Sequence, residues 1–590
     1  MADLPGSLTL PLLGASVFVA ALTCLTYWML GEYLHKWFTM KPIPQLQGTY
    51  PLIGNALLFK PNAGDFFNQI VEYTREFSNY PLFKIWVGPV PFVVLFHPET
   101  VEPVLNNAVH MEKSYSYSFL HPWLGTGLLT STGPKWRHRR KMLTPTFHFS
   151  ILTDFLEVMN EQAEILVEKL ELQAGKGPFN CFSHITLCAL DIICETAMGK
   201  KIYAQSNSES EYVKCVYKMS DIISRRQRTP WFWPDFVYYS FGDGREHDST
   251  LKVLHSFTYK VITERSENIS CVESDRDSDH GRRKRQAFLD MLLKTTDEDG
   301  NKMSHGDIQE EVDTFMFRGH DTTAASMNWV MHLLGSHPKA QSKVHQELQE
   351  VFGESDRPTN IEDLKKLKYL ECVIREALRL FPSVPFFARS LGEDCHISEC
   401  EMNDGGLPIT EGVGVSVGRK EIMLSQLGSA DMLTQVQVAA AGNASSFSPT
   451  DGFKVPKGAN AIIITYGLHR DPRYFPDPEE FRPERFLPEN SVGRPPYAYL
   501  PFSAGLRNCI GESGMDSAVR ASFRGSGTLT FPSLRPSGQR FALMEEKVVL
   551  ASILRRFTVE ACQTREELRP VGELILRPEK GIWIKLEKRK

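Results

Sequence analysis

The chemistry with the clearest residue signature lies in a glycine-bearing loop around one cysteine. Cys509 sits in Phe502-Ser503-Ala504-Gly505-Leu506-Arg507-Asn508-Cys509-Ile510-Gly511, where Gly505 and Gly511 let backbone amides approach the sulfur. Amides so placed hold the sulfur as thiolate, the form that ligates a metal. A second cluster, Gly319-His320-Asp321-Thr322-Thr323, falls inside a run with apolar residues at helical spacing, from Ile308, Val312, Phe315 and Met316 to Leu333 and Leu334. Glycine weakens a helix and short polar side chains compete with its backbone, so a purely structural helix has little use for this cluster. Between Phe315, Phe317, Ala324 and Ala325 it reads as a polar notch against a pocket rather than an exposed kink. An acid beside a hydroxyl, Asp321 beside Thr322, can relay protons there.

These groups need elements to position them. Ser304 with Asp307 three residues on resembles a capping box, and Gly335 and Pro338 supply a stop, so the notch lies mid-way along one long helix. Glu376-Ala377-Leu378-Arg379 places an acid and a guanidinium one turn apart on a helix ending near Phe381-Pro382, a spacing that by itself marks an ordinary ion pair. Lys84-Ile85-Trp86-Val87 and Phe92-Val93-Val94-Leu95-Phe96 read as strands, and most of residues 100 to 380 carries helical spacing. The expected fold is mainly α with a small β sheet. The charged stretch from Glu273 to Gln286 has too little apolar content to pack and reads as a solvated loop.

From Leu4 to Gly31 no residue is charged, and Leu8 to Leu30 would make a helix of roughly 35 Å, enough to cross a bilayer. The run is longer than the apolar part of a cleaved leader, and Asp3 stands where a basic start belongs. A single transmembrane anchor over 4–31 is therefore predicted. His35, Lys36 and Lys41 follow it, which puts the catalytic body on the cytoplasmic side. Pro42, Pro44, Gly48, Pro51 and Gly54 make 41–55 a stiff hinge before a domain spanning 56–590. Within its 590 residues, 42% hydrophobic content is ample for a core, and a net charge of −5 carries no nucleic-acid footprint. Eleven cysteines without a CxxC pair argue for a reducing compartment. Cys395 and Cys400 flanking His396 lack a second pair that would complete a zinc site.

Taken together, the cysteine loop, the notch and Glu376-x-x-Arg379 resemble the cytochrome P-450 family in order and spacing, over nearly the whole chain. The resemblance implies the cytochrome P-450 fold, with haem iron held by Cys509 and the loop residues Phe502, Gly505, Arg507 and Gly511 around it. It makes Arg485 in Pro483-Glu484-Arg485-Phe486 the partner of Glu376 and Arg379. Trp136 and Arg140 match the family's Trp-x-x-x-Arg, so that Trp136, Arg140, Arg389 and Arg507 become candidates to meet the haem propionates. Asp321 and Thr322 take the proton-relay roles.

More narrowly, Lys135-Trp136-Arg137-His138-Arg139-Arg140 through His148, and Glu311-Val312-Asp313-Thr314-Phe315-Met316-Phe317, look like the V branch of family four. That implies a monooxygenase of the endoplasmic reticulum membrane that hydroxylates a fatty acid or another lipid near its terminal carbon. Thiolate ligation favours O–O cleavage. Electrons would come from an NADPH-dependent flavoprotein reductase, since no nucleotide fingerprint is evident, with cytochrome b5 as a further donor. Lys135, Arg137, Arg139 and Lys141 form a basic run that could steer an acidic reductase surface.

Three departures stand out. Many family-four members have glutamate just before the Gly-His-Asp-Thr-Thr segment, where it can esterify a haem methyl group; here Arg318 occupies it, which predicts noncovalent haem. Residues 399–450, rich in Gly, Ser and Ala, separate segments that adjoin in relatives, and 512–538 interrupt the join between Cys509-Ile510-Gly511 and Gln539-Arg540-Phe541. Both read as insertions of the kind retained intron sequence would leave. They keep open a reading as a membrane-anchored member without functional haem. A haem-thiolate isomerase acting on peroxides is a third reading, which would need no proton relay.

Overall fold

The computed structural model describes residues 9–147, 149–207, 210–274, 287–295, 302–397, 452–510 and 537–589. Gly511, Cys400 and segment 399–450 lie outside the described residues, and segment 512–538 is described only from Ser537. Of the charged stretch 273–286, only the first two residues are described, closing the helix Gly244–Ser274.

Helices dominate, as expected. Those that matter to the site are α1 (Thr9–Thr39), α2 (Gly133–Leu143), α3 (Phe149–Glu171), α4 (Phe182–Ala197), α5 (His305–Ser336), α6 (Lys368–Leu380) and α7 (Ser537–Arg556). Helix α5 is apolar nearly all round from Ala324 to Leu334 and is buried accordingly, with Trp329, Val330, Met331 and Leu334 inaccessible to solvent. Ser304 Oγ caps it by accepting from Asp307 N at 3.1 Å, while the Asp307 carboxylate accepts from the same hydroxyl at 2.7 Å rather than returning to the cap's own backbone N–H. His337 closes the helix and Pro338 begins the next. Helix α5 runs unbroken through Gly319–Thr323. The glycine there serves packing: a Cβ at 319 would stand 2.6 Å from the Ile193 side chain on α4.

A five-stranded sheet forms the second wall. Its strands are β1 (Leu82–Val87), β2 (Val90–Leu95), β3 (Glu112–Lys113), β4 (Phe387–Ser390) and β5 (Asn460–Ile463), in the order β1-β2-β5-β4-β3. The pairing of β2 with β5 is parallel (Val94 opposite Ile462) and the others are antiparallel, with Lys113 opposite Arg389. Smaller two- and three-stranded sheets surround it.

The N-terminal helix holds a 24-residue stretch, Ser16–Thr39, long and apolar enough to cross a membrane, and its side chains are largely exposed. It extends past the predicted end at Gly31, and its last turns dock on the domain. Tyr33 and Trp37 pack on Trp86 at ring-centroid distances of 5.4 and 5.1 Å. The segment foreseen as a hinge is stitched to β1: Lys84 N donates to Pro44 O at 2.7 Å, Asn55 N to Trp86 O at 2.6 Å, and Trp86 N to Asn55 Oδ1 at 2.9 Å. Gly54, at φ +64°, lies so close to β1 that a Cβ would meet Trp86 O at 2.2 Å. A bonded splint replaces the expected hinge, because an extended segment can complete the edge of β1.

Candidate active site

The cysteine loop hangs from a buried ionic knot. On α6, Arg379 Nε and Nη2 each donate to the Glu376 carboxylate at 2.8 Å, and both residues are wholly buried. The guanidinium's other N–H groups reach His469 O (3.1 Å), Pro478 O (2.6 Å) and Glu480 O (3.0 Å). Glu376 also accepts from Arg482 N at 2.9 Å and lies 3.3 Å from Arg485 Nε. His469 carries the knot to the loop, since Leu500 N donates to its Nε2 at 2.8 Å. Burial, then Arg379 and Arg470, push the His469 imidazole down to about 3, so Nε2 keeps its lone pair at physiological pH. His469 was missed in the sequence; its only signal was a run of titratable residues, His469-Arg470-Asp471.

Beyond Leu500 the chain turns sharply. Ser503 sits at φ +61°, and Gly505 sits at φ +70° where a Cβ would be 1.9 Å from Leu105 O, a position only glycine can fill. Cys509 N donates to Phe502 O at 3.1 Å and Asn508 N to Gly505 O at 3.1 Å, closing the loop on itself. Burial pushes the Cys509 thiol up; Arg318, Arg140 and the Ile510 N–H pull it back toward thiolate.

Cys509 opens into a cavity that also collects Trp136, Arg140, Arg389, Phe502, Arg507 and Thr322. The arginines divide their work. Arg140, expected to meet propionates, instead grips the loop: Nη1 donates to Asn508 O at 2.9 Å, and Nη2 to Asn508 Oδ1 at 2.7 Å and Cys509 O at 3.3 Å. Arg507 lies over Trp136, 4.6 Å from the ring centroid, with Nη2 on Leu129 O at 3.4 Å and a buried Nη1 that has no partner among the described residues. Arg389 is 2% exposed, and its guanidinium makes one hydrogen bond among the described residues, to Ala388 O at 3.2 Å. Burial and neighbouring Arg389 hold Arg507 well below its ordinary value, a penalty that anionic guests would relieve. A thiol, an orphaned guanidinium N–H and a second under-bonded guanidinium in one cavity fit haem with its two carboxylates.

The two relay candidates part company. Thr322 faces the cavity, its Oγ1 donating to Arg318 O at 2.8 Å. Asp321 does not line it: the carboxylate is buried and bound by Arg577, a residue 256 positions later whose guanidinium lies 4.3 Å from the Tyr217 ring centroid. Residues three or four apart share a helix face and adjacent ones do not, so the acid and the hydroxyl point apart. Arg318, one turn before Thr322, lines the cavity half-buried; its guanidinium makes no hydrogen bond or ion pair with any described residue, but its charge is felt at Cys509.

Of the basic run on α2 only Arg139 is turned inward, while Lys135, Arg137 and Lys141 are exposed. Arg139 is 5% exposed and pairs with Asp307 and, at 3.1 Å, with Glu311; Lys135 reaches Glu310 at 2.9 Å. The steering surface foreseen there thus loses two of its four charges to acids on α5. Cys395 and His396 lie in a two-stranded sheet, and no metal-binding cluster of three or more His, Cys, Asp or Glu occurs among the described residues.

Comparison with known proteins bears on this arrangement. The family profile described as cytochrome P450 matches residues 44–410 and 448–513. The chain is 53% identical over 565 residues to "Cytochrome P450 4V2" of Rattus norvegicus, covering 95% of this chain and 92% of the relative. It is 52% identical over 584 residues to the protein of the same name in Homo sapiens, covering 98% and 95%. To "Cytochrome P450 4c3" of Drosophila melanogaster it is 42% identical over 551 residues, covering 91% and 88%. Such similarity along almost the whole length, on a helical fold built around a cysteine loop, leaves one assignment: the chain belongs to the cytochrome P450 family, as a monooxygenase of family four, V subfamily.

Proposed function

We propose that the enzyme hydroxylates a fatty acid or a similar amphipathic lipid, with electrons from NADPH delivered by a flavoprotein reductase and cytochrome b5 as an accessory donor. It works at the endoplasmic reticulum membrane, held by α1, with the catalytic body in the cytosol. The observation that carries the reading is the Cys509 sulfur opening into the same cavity as Thr322, between apolar side chains such as Leu128, Phe315, Val384 and Phe387.

Cys509, with Arg389 and Arg507 at the propionates, would hold haem, which when bound would supply dioxygen activation and oxygen insertion into a C–H bond. The chain's own groups do the rest. Arg140 pins Asn508 and Cys509, so the sulfur keeps its place relative to α5. The apolar walls hold the alkyl chain and exclude water. Thr322 Oγ1 can receive a proton from within the cavity and pass one on, while Asp321 reaches that path only by leaving Arg577. Arg318 offers no carboxylate for an ester, so haem is noncovalent apart from the sulfur–iron bond.

The test is the reduced, carbon-monoxide-bound absorption spectrum, followed by turnover of a fatty-acid panel with NADPH and reductase. A thiolate-type Soret band and hydroxylated products are expected. Absence of that band favours the haem-deficient reading, and conversion of a lipid hydroperoxide without reductase favours the isomerase. Haem that stays on the protein through acid extraction contradicts noncovalent binding.

A further inference from the structure

The cavity holds more positive charge than haem can answer. Lys113, Arg140, Arg318, Arg389 and Arg507 all line it, and Glu546 is the one carboxyl among the described lining residues. Burial pushes Glu546 up to about 8, so it is largely neutral at physiological pH and balances none of them. Arg140 is satisfied by the loop carbonyls, and Lys113, 4.4 Å from the Tyr117 ring centroid, is pushed well below its ordinary value by burial and by Arg389, Arg507 and Arg318, which weakens its claim on an anion. Arg389 and Arg507 suffice for two propionates. Arg318 is left over: apart from its influence on Cys509, its half-buried guanidinium has no described carboxylate to pair with on the wall it shares with Phe315 and Thr322. An unanswered charge so placed is costly, and a carboxylate answers a guanidinium fork with two parallel hydrogen bonds.

We propose that Arg318 binds the carboxylate of the substrate, so that carbons near the head group, rather than the chain terminus, come to lie at Thr322. This rests on the fatty-acid reading above and departs from the terminal hydroxylation that the family-four resemblance implies. The register on α5 sets the geometry. Residues 318 and 322 face the same way and are separated by ~6 Å of helix rise, a span that only the first few carbons of a fatty acid cover. The acyl chain then runs along the apolar wall away from α5.

The experiment uses the full-length holoprotein and its Arg318→Gln variant, which keeps a polar side chain without the charge. Dodecanoate, methyl dodecanoate and 1-dodecanol are titrated by calorimetry and by the Soret shift. Regiochemistry of dodecanoate hydroxylation is read with the reductase present. Wild type should bind the acid roughly 10- to 100-fold tighter than the ester or alcohol, the range of a charge-assisted pair. In Arg318→Gln that preference should collapse to within about threefold, with haem content unchanged and product shifting from carbons near the carboxylate toward the terminus. Equal binding of acid and ester by wild type overturns the Arg318 assignment while the fatty-acid reading stands. If none of the three binds, both fall. Loss of haem in Arg318→Gln assigns this arginine to a propionate and overturns the proposal, as does an unchanged acid preference.

Discussion

Replacing Glu376 with alanine tests whether the loop that presents Cys509 hangs on the α6 knot. The change leaves two N–H groups of Arg379 without acceptors, frees Arg482 N, and strips the countercharge from Arg379 and Arg485, all in a region with almost no solvent access. Two unmade hydrogen bonds to a charged group cost about 3–6 kcal/mol, and removing one partner of a buried ion pair costs about 3–5 kcal/mol. Both routes converge on about 4 kcal/mol, a large part of the roughly 5–15 kcal/mol by which a folded protein is stable. The loss should be felt at the cysteine, because Arg379 holds His469 O and His469 holds Leu500 N. Urea unfolding followed by the Soret band and by tryptophan fluorescence is the assay. Trp329, stacked on Phe381 at 4.1 Å, reports from the end of α6 itself. The Soret transition should move to lower urea by an amount equivalent to about 4 kcal/mol, together with the fluorescence. A variant within about 0.5 kcal/mol of wild type, with haem fully retained, would refute the reasoning.

Other outcomes follow from the same geometry. Cys509→Ser should abolish the thiolate-type band of the carbon-monoxide complex and all hydroxylation; wild-type absorption in that variant removes the sulfur from the site. Gly505→Ala must find room for a methyl group 1.9 Å from Leu105 O at φ +70°, so haem incorporation during expression should fall severely, as measured by haem per polypeptide. Arg577→Met leaves the Asp321 carboxylate buried without its partner and should destabilise the fold by about 3–5 kcal/mol in urea titration. Asp471 pays a desolvation cost, but hydrogen bonds from His97 and Arg473 outweigh it and bring the carboxyl down to about 2 from 3.8. Its folded value is depressed, so its stabilisation of about 2 kcal/mol is complete above pH 4 and is lost as the pH falls through 2. Asp471→Asn should flatten that part of the stability profile, and an unaltered acid limb would contradict it.

Local spacing was enough for several parts of this enzyme, because covalent geometry sets them. The Ser304 cap and the Pro338 boundary of α5, and the one-turn separation of Glu376 and Arg379, all depend on neighbours within a few residues, whereas the need for Gly505 comes from Leu105 O, far away in the chain. Pairings across the chain depend on packing and left no comparable trace. Asp321 and Thr322 are adjacent in sequence and looked like one relay, yet a 100° step per residue turns them to different surroundings, and Arg577 claims the acid. The Trp136-x-x-x-Arg140 spacing suggests a haem contact for Arg140, but folding brings Asn508 within reach of its guanidinium. The composition of the Pro/Gly segment 41–55 forbids helix and suggests a hinge; it says nothing of the β1 edge waiting to bond it. That Arg318 is charged was plain from its letter. That its guanidinium forms no ion pair with a described carboxylate is a property of every element packed around the cavity together, which one-dimensional spacing does not contain.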